Sequence, residues 1–582
     1  MFRPRTLAQY SLMAFLLAFF AAGLLYPIWL TVRGGFATDV VTGEGFTVSH
    51  VAEVFADPVL REGLVRSLLI ALCTTSLCVL IALPLAVLAA NYTYPLKGLW
   101  SAVILAPMIL PPFVGAIGFR AILGRYGGLN TLLGTEFDFL GGAKFWGVVI
   151  TEALYLYPII YLNATAALAN LDPALDEAAE NVGTGRMRRF FLITLPLIRP
   201  GLFAGGTIVF IWSFTELGTP LMYGMLNVTP VQIFYGIQEV QTSARPYALV
   251  VVMLAMAILL YITGKLIFGG RAHAMYSKAS RASAETRLGP MGGLLASGAF
   301  ALVTCLALAP HAGVILSSFA VDGSWYRSVL PTAFTTEHYE AALTHPLAFG
   351  SMVNSLQYAA GAVAINLMLG VLIGYVIVRS KVRGRWLLDS LSMMPLAVPG
   401  LVMAFGYVAM SLRWPFGPDA TIFGVKVASP FAGWVDIVGI NPNPVPLLIV
   451  AYAVRRLPYI VRATVAGLEQ TSGELEEAAV NLGATRMRAV RQIVIPLIMA
   501  NLIAGALLAF SFSMLEVSDS LILAQQETHY PFTKAIFTFS QRLGDGLGIA
   551  GAMGVWGMML LLVTLVGASI LLGKRLGAIF RV

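Results

Sequence analysis

The sequence predicts an all-α integral membrane protein, with twelve transmembrane helices arranged as two parallel six-helix repeats. Three observations predict it. Of the 582 residues 58% are hydrophobic and only 11% charged, a balance that no globular surface dissolves in water. Apolar runs of about twenty residues, enough to cross a hydrocarbon core of roughly 30 Å as helix, recur along the whole chain. A polar, basic, glycine-punctuated segment occurs twice, EAAENVGTGRMRRFFLITLPLIRP from Glu177 and EAAVNLGATRMRAVRQIVIPLIMA from Glu477, at an offset of 300 residues.

The apolar runs of the first half fall near 10–32, 64–90, 99–122, 145–168, 201–224 and 246–268. Those of the second fall near 291–319, 353–379, 386–410, 445–468, 499–523 and 550–573. The first run, preceded by Arg3 and Arg5 and containing Ala21, Ala22 and Gly23, has some features of a signal peptide. It continues to Leu30, beyond a typical signal core, and is read as a retained span.

Basic residues of short loops stay on the cytoplasmic side. With the N-terminus inside, that side receives most of the 37 Lys and Arg, including Lys97, Arg186, Arg188, Arg189, Lys265, Arg271, Lys278, Arg281, Arg379, Lys381, Arg486, Arg488, Lys574 and Arg575. Both termini are then cytoplasmic. The net charge of +8 reads as topology and not as nucleic-acid binding. An even number of spans per half makes the halves parallel, related by a pseudo-two-fold along the membrane normal. Residues 1–270 form the first half, 271–290 a polar cytoplasmic linker with Ser277, Lys278, Ser280, Arg281, Ser283 and Glu285, and 291–582 the second half.

The repeated segments, 172–199 and 472–499, lie between the fourth and fifth span of each half. Between Leu175–Ile198 and Leu475–Ile498, 13 of 24 positions are identical. Asp172 is an N-cap with Pro173 at the first helical position, and Ala174 to Val182 form a short helix closed by Gly183 in a left-handed turn. A second helix runs from Thr184 to Leu195, where Pro196 and Pro200 break the chain. The second copy has Thr471 or Ser472 at the cap, Gly483 at the turn and Pro496 at the break. A single copy reads equally well as an amphipathic loop resting on headgroups. Two retained copies point to two equivalent docking events on a two-fold partner.

The E-A-A, three residues, G pattern with its later Pro resembles the cytoplasmic EAA loop of the ATP-binding cassette (ABC) importer permeases. The resemblance extends over nearly the whole chain. PMILP (Pro107 to Pro111) and PLAVP (Pro395 to Pro399) share the family's Pro-x-x-x-P helix kink, and Tyr157-Pro158 matches Leu457-Pro458 at the same offset. It implies the MetI-like fold of binding-protein-dependent importers. It also implies that Glu177, Ala178, Ala179, Gly183 and Arg186, with Glu477, Ala478, Ala479, Gly483 and Arg486, dock on two copies of a cytoplasmic ABC ATPase. No G-x-x-x-x-G-K-[ST] occurs in the chain, so ATP and Mg belong to that partner and no catalytic residue is assigned here. A periplasmic or extracellular solute-binding protein is the other implied partner, and the bacterial cytoplasmic (inner) membrane the location. The doubled chain, with VRRLPYIVRA (Val454 to Ala463), FTELGTPL (Phe214 to Leu221) and SMLEVSDSLILA (Ser513 to Ala524), is similar to the ferric-iron-type permeases. Thiamine, aminoethylphosphonate and polyamine importers are the alternatives within the class.

Ionisable residues inside spans are costly and mark function by default. Glu216 and Glu516 match in the fifth span of each half, and Asp519 lies i+3 from Glu516 on the same helical face. Arg455 and Arg456 sit about 15 Å into their span, opposite Tyr155 and Leu156 in the repeat. Two roles stand open, a lock between helices and a lining of the translocation path, as does the choice of Glu516 or Asp519 as partner. An ion-coupled secondary transporter would also use buried carboxylates, but it has no need of twin docking loops. Cys73, Cys78 and Cys305 lie in spans as packing thiols. His338 and His345 lack metal-ligand spacing, and no metal site is assigned.

Overall fold

A computed structural model describes residues 4–40, 43–141, 144–268, 286–422, 425–439 and 442–572. Most of the expected linker, with Ser277, Lys278, Ser280, Arg281, Ser283 and Glu285, lies outside the described residues, as do Lys574, Arg575 and Arg581. Among the described residues, 8 helices are long and apolar enough to cross a membrane, or 11 when each of 3 bent helix pairs counts as one span. The tenth expected span is present as the helix Val445–Glu469. It does not qualify by composition, because Arg455, Arg456 and Arg462 interrupt its apolar length. Its repeat counterpart, Phe145–Leu168, does qualify.

The third and ninth spans are sharply bent where the sequence places the Pro-x-x-x-P motifs. Lys97–Ile109 and Pro112–Leu133 meet at 93°, and Arg385–Ala397 and Gly400–Ser411 at 102°. Pro111 and Pro399 stand at the breaks, with φ −54° and −56° and extended ψ, because proline removes an N–H and disfavours helix in the residue before it.

Two expectations are corrected. Pro196 and Pro200 do not stop the fifth span: a π-helical turn, Phe190–Thr194, passes directly into the helix Leu195–Phe214. Proline is accommodated where the hydrogen-bond register changes, since a missing N–H costs little there. The second copy does break, by 74° between Leu497 and Met499. The fifth and eleventh spans are also not continuous to 224 and 523. Each helix ends early, at Phe214 and Met514, and a short helix follows after three residues, Gly218–Tyr223 and Ser518–Leu523. Glu216 and Glu516 therefore occupy helix breaks and not one helical face with Asp519. Non-helical backbone at membrane depth is tolerated where it lines a cavity or is buried in protein.

Packing joins the halves by exchange of their first helices. The first span, Gln9–Phe36, packs on Gly400–Ser411 of the second half, and Pro290–Phe319 packs on Pro112–Leu123 of the first. Glycine permits both crossings. A Cβ on Gly406 would lie 2.8 Å from the Pro27 carbonyl oxygen, and one on Gly118 would lie 2.2 Å from that of Pro310. Close backbone approach of this kind is how helices associate when lipid is no worse a solvent than the neighbouring helix. The Tyr407 hydroxyl donates to the Gly23 carbonyl at 2.6 Å across the same crossing.

Candidate functional site: a charged cavity between the halves

The helix breaks and the bent spans converge on a cavity of about 170 Å³. Its walls come from both halves. Pro111, Glu152, Tyr155, Trp212, Ser213 and Glu216 belong to the first, and Pro395, Pro399, Arg455, Arg456, Phe512 and Glu516 to the second. Of the kink prolines, Pro107 is buried outside the lining.

On the second-half wall the two arginines are paired with both acids, which resolves the open choice of partner. Arg455 Nε lies 3.3 Å from Glu516 Oε2 and its Nη1 3.4 Å from Asp519 Oδ2. Arg456 donates from Nη2 to the same Glu516 oxygen, and its guanidinium lies 5.5 Å from the Phe512 ring centroid. Gly400 makes the arrangement possible. A Cβ there would fall 1.5 Å from Arg455 Nη2, so the guanidinium rests on bare backbone just past the 102° bend. In the first half Pro112 and Tyr155 occupy the corresponding places.

The first-half wall carries an acid that sequence reasoning missed. Glu152 is 1% exposed, and its Oε2 accepts a hydrogen bond from the Ser213 hydroxyl. The available signal was a single carboxylate inside the apolar run FWGVVITEALYLYP. The second half has Tyr452 at that place, so the repeat does not mark the position.

The repeated segments form two helix–turn–helix elbows. Asp172 caps Pro173–Asn181 by accepting from the Ala174 N–H at 3.0 Å, and Gly183 adopts φ +79°. In the second copy neither Thr471 nor Ser472 is the N-cap residue. Gly473 is, while Ser472 Oγ accepts from the Glu474 N–H at 3.2 Å and Gly483 has φ +94°. Arg379, at the end of the eighth span, fixes the chain that leads into this elbow by donating to the Leu468 and Thr471 carbonyls at 3.0 and 2.7 Å.

Glu177, Ala178, Glu477 and Ala478 are exposed, Ala179 is buried and Ala479 half-buried. Arg186 is exposed, with its guanidinium 5.1 Å from the Tyr92 ring centroid, whereas the Arg486 side chain lies outside the described residues. Each elbow also exposes three matched apolar side chains that the sequence reading did not select: Leu175, Val182 and Met187, and Leu475, Leu482 and Met487.

The histidines have local tasks. His338 Nδ1 lies 3.0 Å from the Ser318 carbonyl oxygen, and His345 Nδ1 accepts from the Leu347 N–H at 3.2 Å.

Two repeats of membrane helices, crossed at their first spans around a cavity lined from both halves, define a multi-span membrane subunit. Residues 82–269 and 366–574 both match the family model described as binding-protein-dependent transport system inner membrane component, and the chain belongs to that family. It is a multi-pass inner-membrane protein.

The chain is 26% identical over 77% of its length to the ferric transport system permease protein FbpB of Actinobacillus pleuropneumoniae, covering 62% of that protein. It is 27% identical over 72% of its length to a putative ferric transport system permease protein, FbpB 1, of Haemophilus influenzae, covering 64% of it. The matches thus span less than two thirds of these relatives. The molybdenum transport system permease protein ModB of Escherichia coli is 29% identical over 33% of the chain and is covered to 89%.

Proposed function

We propose that this chain is the permease subunit of a binding-protein-dependent ABC importer that moves ferric iron inward by ATP-driven alternating access. The observation that carries the reading is the inter-half cavity with its excess of acid. Glu152, Glu216 and Glu516 line it against Arg455 and Arg456, and both arginines are already paired with Glu516 and Asp519. A hard trivalent cation prefers such oxygen donors. The iron-transport relatives also match across both halves, whereas the molybdenum relative matches a third of the chain. A second reading, an oxyanion, draws on the same two arginines and on that relative.

The twin elbows supply the coupling in this proposal. Two cytoplasmic ATPase subunits, which bind ATP and Mg, grip the exposed EAA helices and their matched apolar side chains. Closure of the ATPase pair draws the elbows together and reorients the halves, while a solute-binding protein loads the opposite face.

Cells lacking the chain are expected to lose uptake of radiolabelled ferric iron while molybdate and sulfate uptake stays normal. Glu516→Gln is expected to lower iron uptake several-fold with the ATPase still co-purifying, because it unbalances a buried ion cluster. Normal iron uptake in the deletion strain, with loss of molybdate, thiamine or aminophosphonate uptake, would refute iron and leave the importer class intact.

Orientation has its own check. Single cysteines at Thr184 and Thr485, introduced after replacement of Cys73, Cys78 and Cys305, are expected to react with an impermeant maleimide only in inverted vesicles. Reaction in intact cells would place the elbows outside and end the docking argument.

A further inference from the structure

The two halves bring opposite charge to the shared cavity. Glu152, Tyr155 and Leu156 share one face of the fourth span by their i, i+3, i+4 spacing, and the tenth span presents Tyr452, Arg455 and Arg456 at the 300-residue offset. One wall offers an acid and the other two bases. The bases are neutralised within their own half by Glu516 and Asp519.

The first-half acids have no such partner. The Glu216 N–H donates to the Ser213 carbonyl at 3.3 Å, and Glu216 Oε1 accepts from the Thr219 N–H and hydroxyl at 3.2 and 3.3 Å. The Ser213 hydroxyl meanwhile donates to Glu152 Oε2. Ser213 thus binds the Glu152 carboxyl group through its hydroxyl and the Glu216 backbone through its carbonyl, and both acids line the cavity. Neither forms an ion pair among the described residues. Glu152 Oε1 is buried and closes no hydrogen bond among them, although the Thr74 hydroxyl, itself unbonded, approaches the Glu152 carboxyl group.

The second half has no equivalent. Tyr452 pairs its hydroxyl with Ser520 Oγ at 2.6 Å, and the buried Ser513 hydroxyl, the counterpart of Ser213, has no partner among the described residues. The carboxylate of the first wall is therefore a departure from the repeat and not an inherited packing element.

A buried acceptor left unmet is costly, and a ligand that supplies positive charge removes the cost. An anion would deepen it. We propose that Glu152 and Glu216 form a one-sided oxygen-donor site for a hard multivalent cation in transit, on the first-half wall of the cavity. This deepens the permease reading and rests on it. Two carboxylates on one wall, with cationic guanidiniums on the other, bind such an ion without enclosing it.

Terbium(III) is the probe, because Trp212 lines the same cavity next to Ser213 and sensitises the emission of a lanthanide bound there. The full chain in lipid nanodiscs is expected to give saturable sensitised emission that gallium(III) displaces. Glu152→Gln with Glu216→Gln is expected to weaken binding about tenfold or more, since two charged ligands are lost. With excitation beyond the tyrosine absorption, Trp212→Phe is expected to remove the sensitised signal, since Tyr155 and Tyr459 line the same cavity and sensitise terbium at shorter wavelengths.

Wild-type terbium affinity in the double variant, or full tryptophan-excited emission after Trp212→Phe, would overturn the site. Should the double variant not remain monodisperse, the isosteric Glu152→Gln alone must still weaken binding several-fold for the proposal to stand. Uptake separates the two readings. Iron uptake lost on deletion of the chain but normal in the Gln variants would sink the site and spare the importer. Carboxylate-dependent terbium binding in a chain with no part in iron uptake would sink the substrate and spare the site.

Discussion

Replacing Gly183 and Gly483 together with Val is expected to abolish uptake while the protein still accumulates in the membrane. Both glycines turn the elbows with φ of +79° and +94°, a region that a β-branched residue enters only under strain of about 1–3 kcal/mol per site. The strain is purely conformational. An added Cβ meets nothing within 4 Å at either position, so no steric collision confuses the result. Relief of the strain rotates the EAA helix against the helix that follows and separates Glu177 and Glu477 from the apolar side chains beside them.

Asn tolerates the left-handed region, so Gly183→Asn with Gly483→Asn is expected to retain most uptake. Transport assays, membrane immunoblots and co-purification of the ATPase read the three consequences separately. Normal transport by the Val pair would remove the elbows from the coupling mechanism, and equal failure of the Asn pair would show that the glycines act through something other than φ.

The second large effect is expected at the buried ion cluster. Arg456→Met should destabilise the purified protein by about 3–5 kcal/mol, the usual cost of leaving one partner of a buried pair unpaired. Glu516 and Asp519 are 5% and 1% exposed in their side chains, so water from the cavity replaces the lost guanidinium only in part. Arg455 reaches both acids at 3.3 and 3.4 Å and moderates the loss without balancing two negative charges.

The control removes all four charges at once. Arg455→Met, Arg456→Met, Glu516→Gln and Asp519→Asn in one chain should be more stable than Arg456→Met alone, because the single variant suffers from imbalance and not from missing attraction. Thermal unfolding in detergent, followed by fluorescence, measures both. Equal destabilisation in the single and fourfold variants would mean that packing of the Arg456 stem, and not its charge, holds these helices together.

Much of the fold was legible because its signals are local. Twenty-residue apolar runs, a cap at Asp172, left-handed glycines at 183 and 483 and the Pro-x-x-x-P bends all report on backbone within a few residues of themselves, and the structure has the cap, the glycines and the bends in place and most of the runs as membrane-length helices. The misreadings were those in which a local rule met a non-local one. Pro196 breaks a helix in isolation but sits quietly at a π-to-α change of register. Glu516 and Asp519 look like one helical face until the chain breaks at Leu515–Val517.

The tenth helix shows the same limit from the other side. Its arginines spoil it as a lipid-facing span, yet they are stable because acids 60 and 64 residues away in the chain reach them.

By itself, then, the sequence determined a doubled membrane protein with two basic elbows, because composition, length and repeat are properties of the chain that no packing alters. Only the tertiary structure decided the exchange of the first helices, the pairing of Arg455 and Arg456 with Glu516 and Asp519, and the convergence of Glu152 and Glu216 on one cavity. Each depends on which surfaces touch. In lipid, where apolar side chains gain nothing by leaving their solvent, contacts are chosen by glycine crossings and by the need to satisfy buried polar groups, and neither is written in the spacing of residues along one strand of chain.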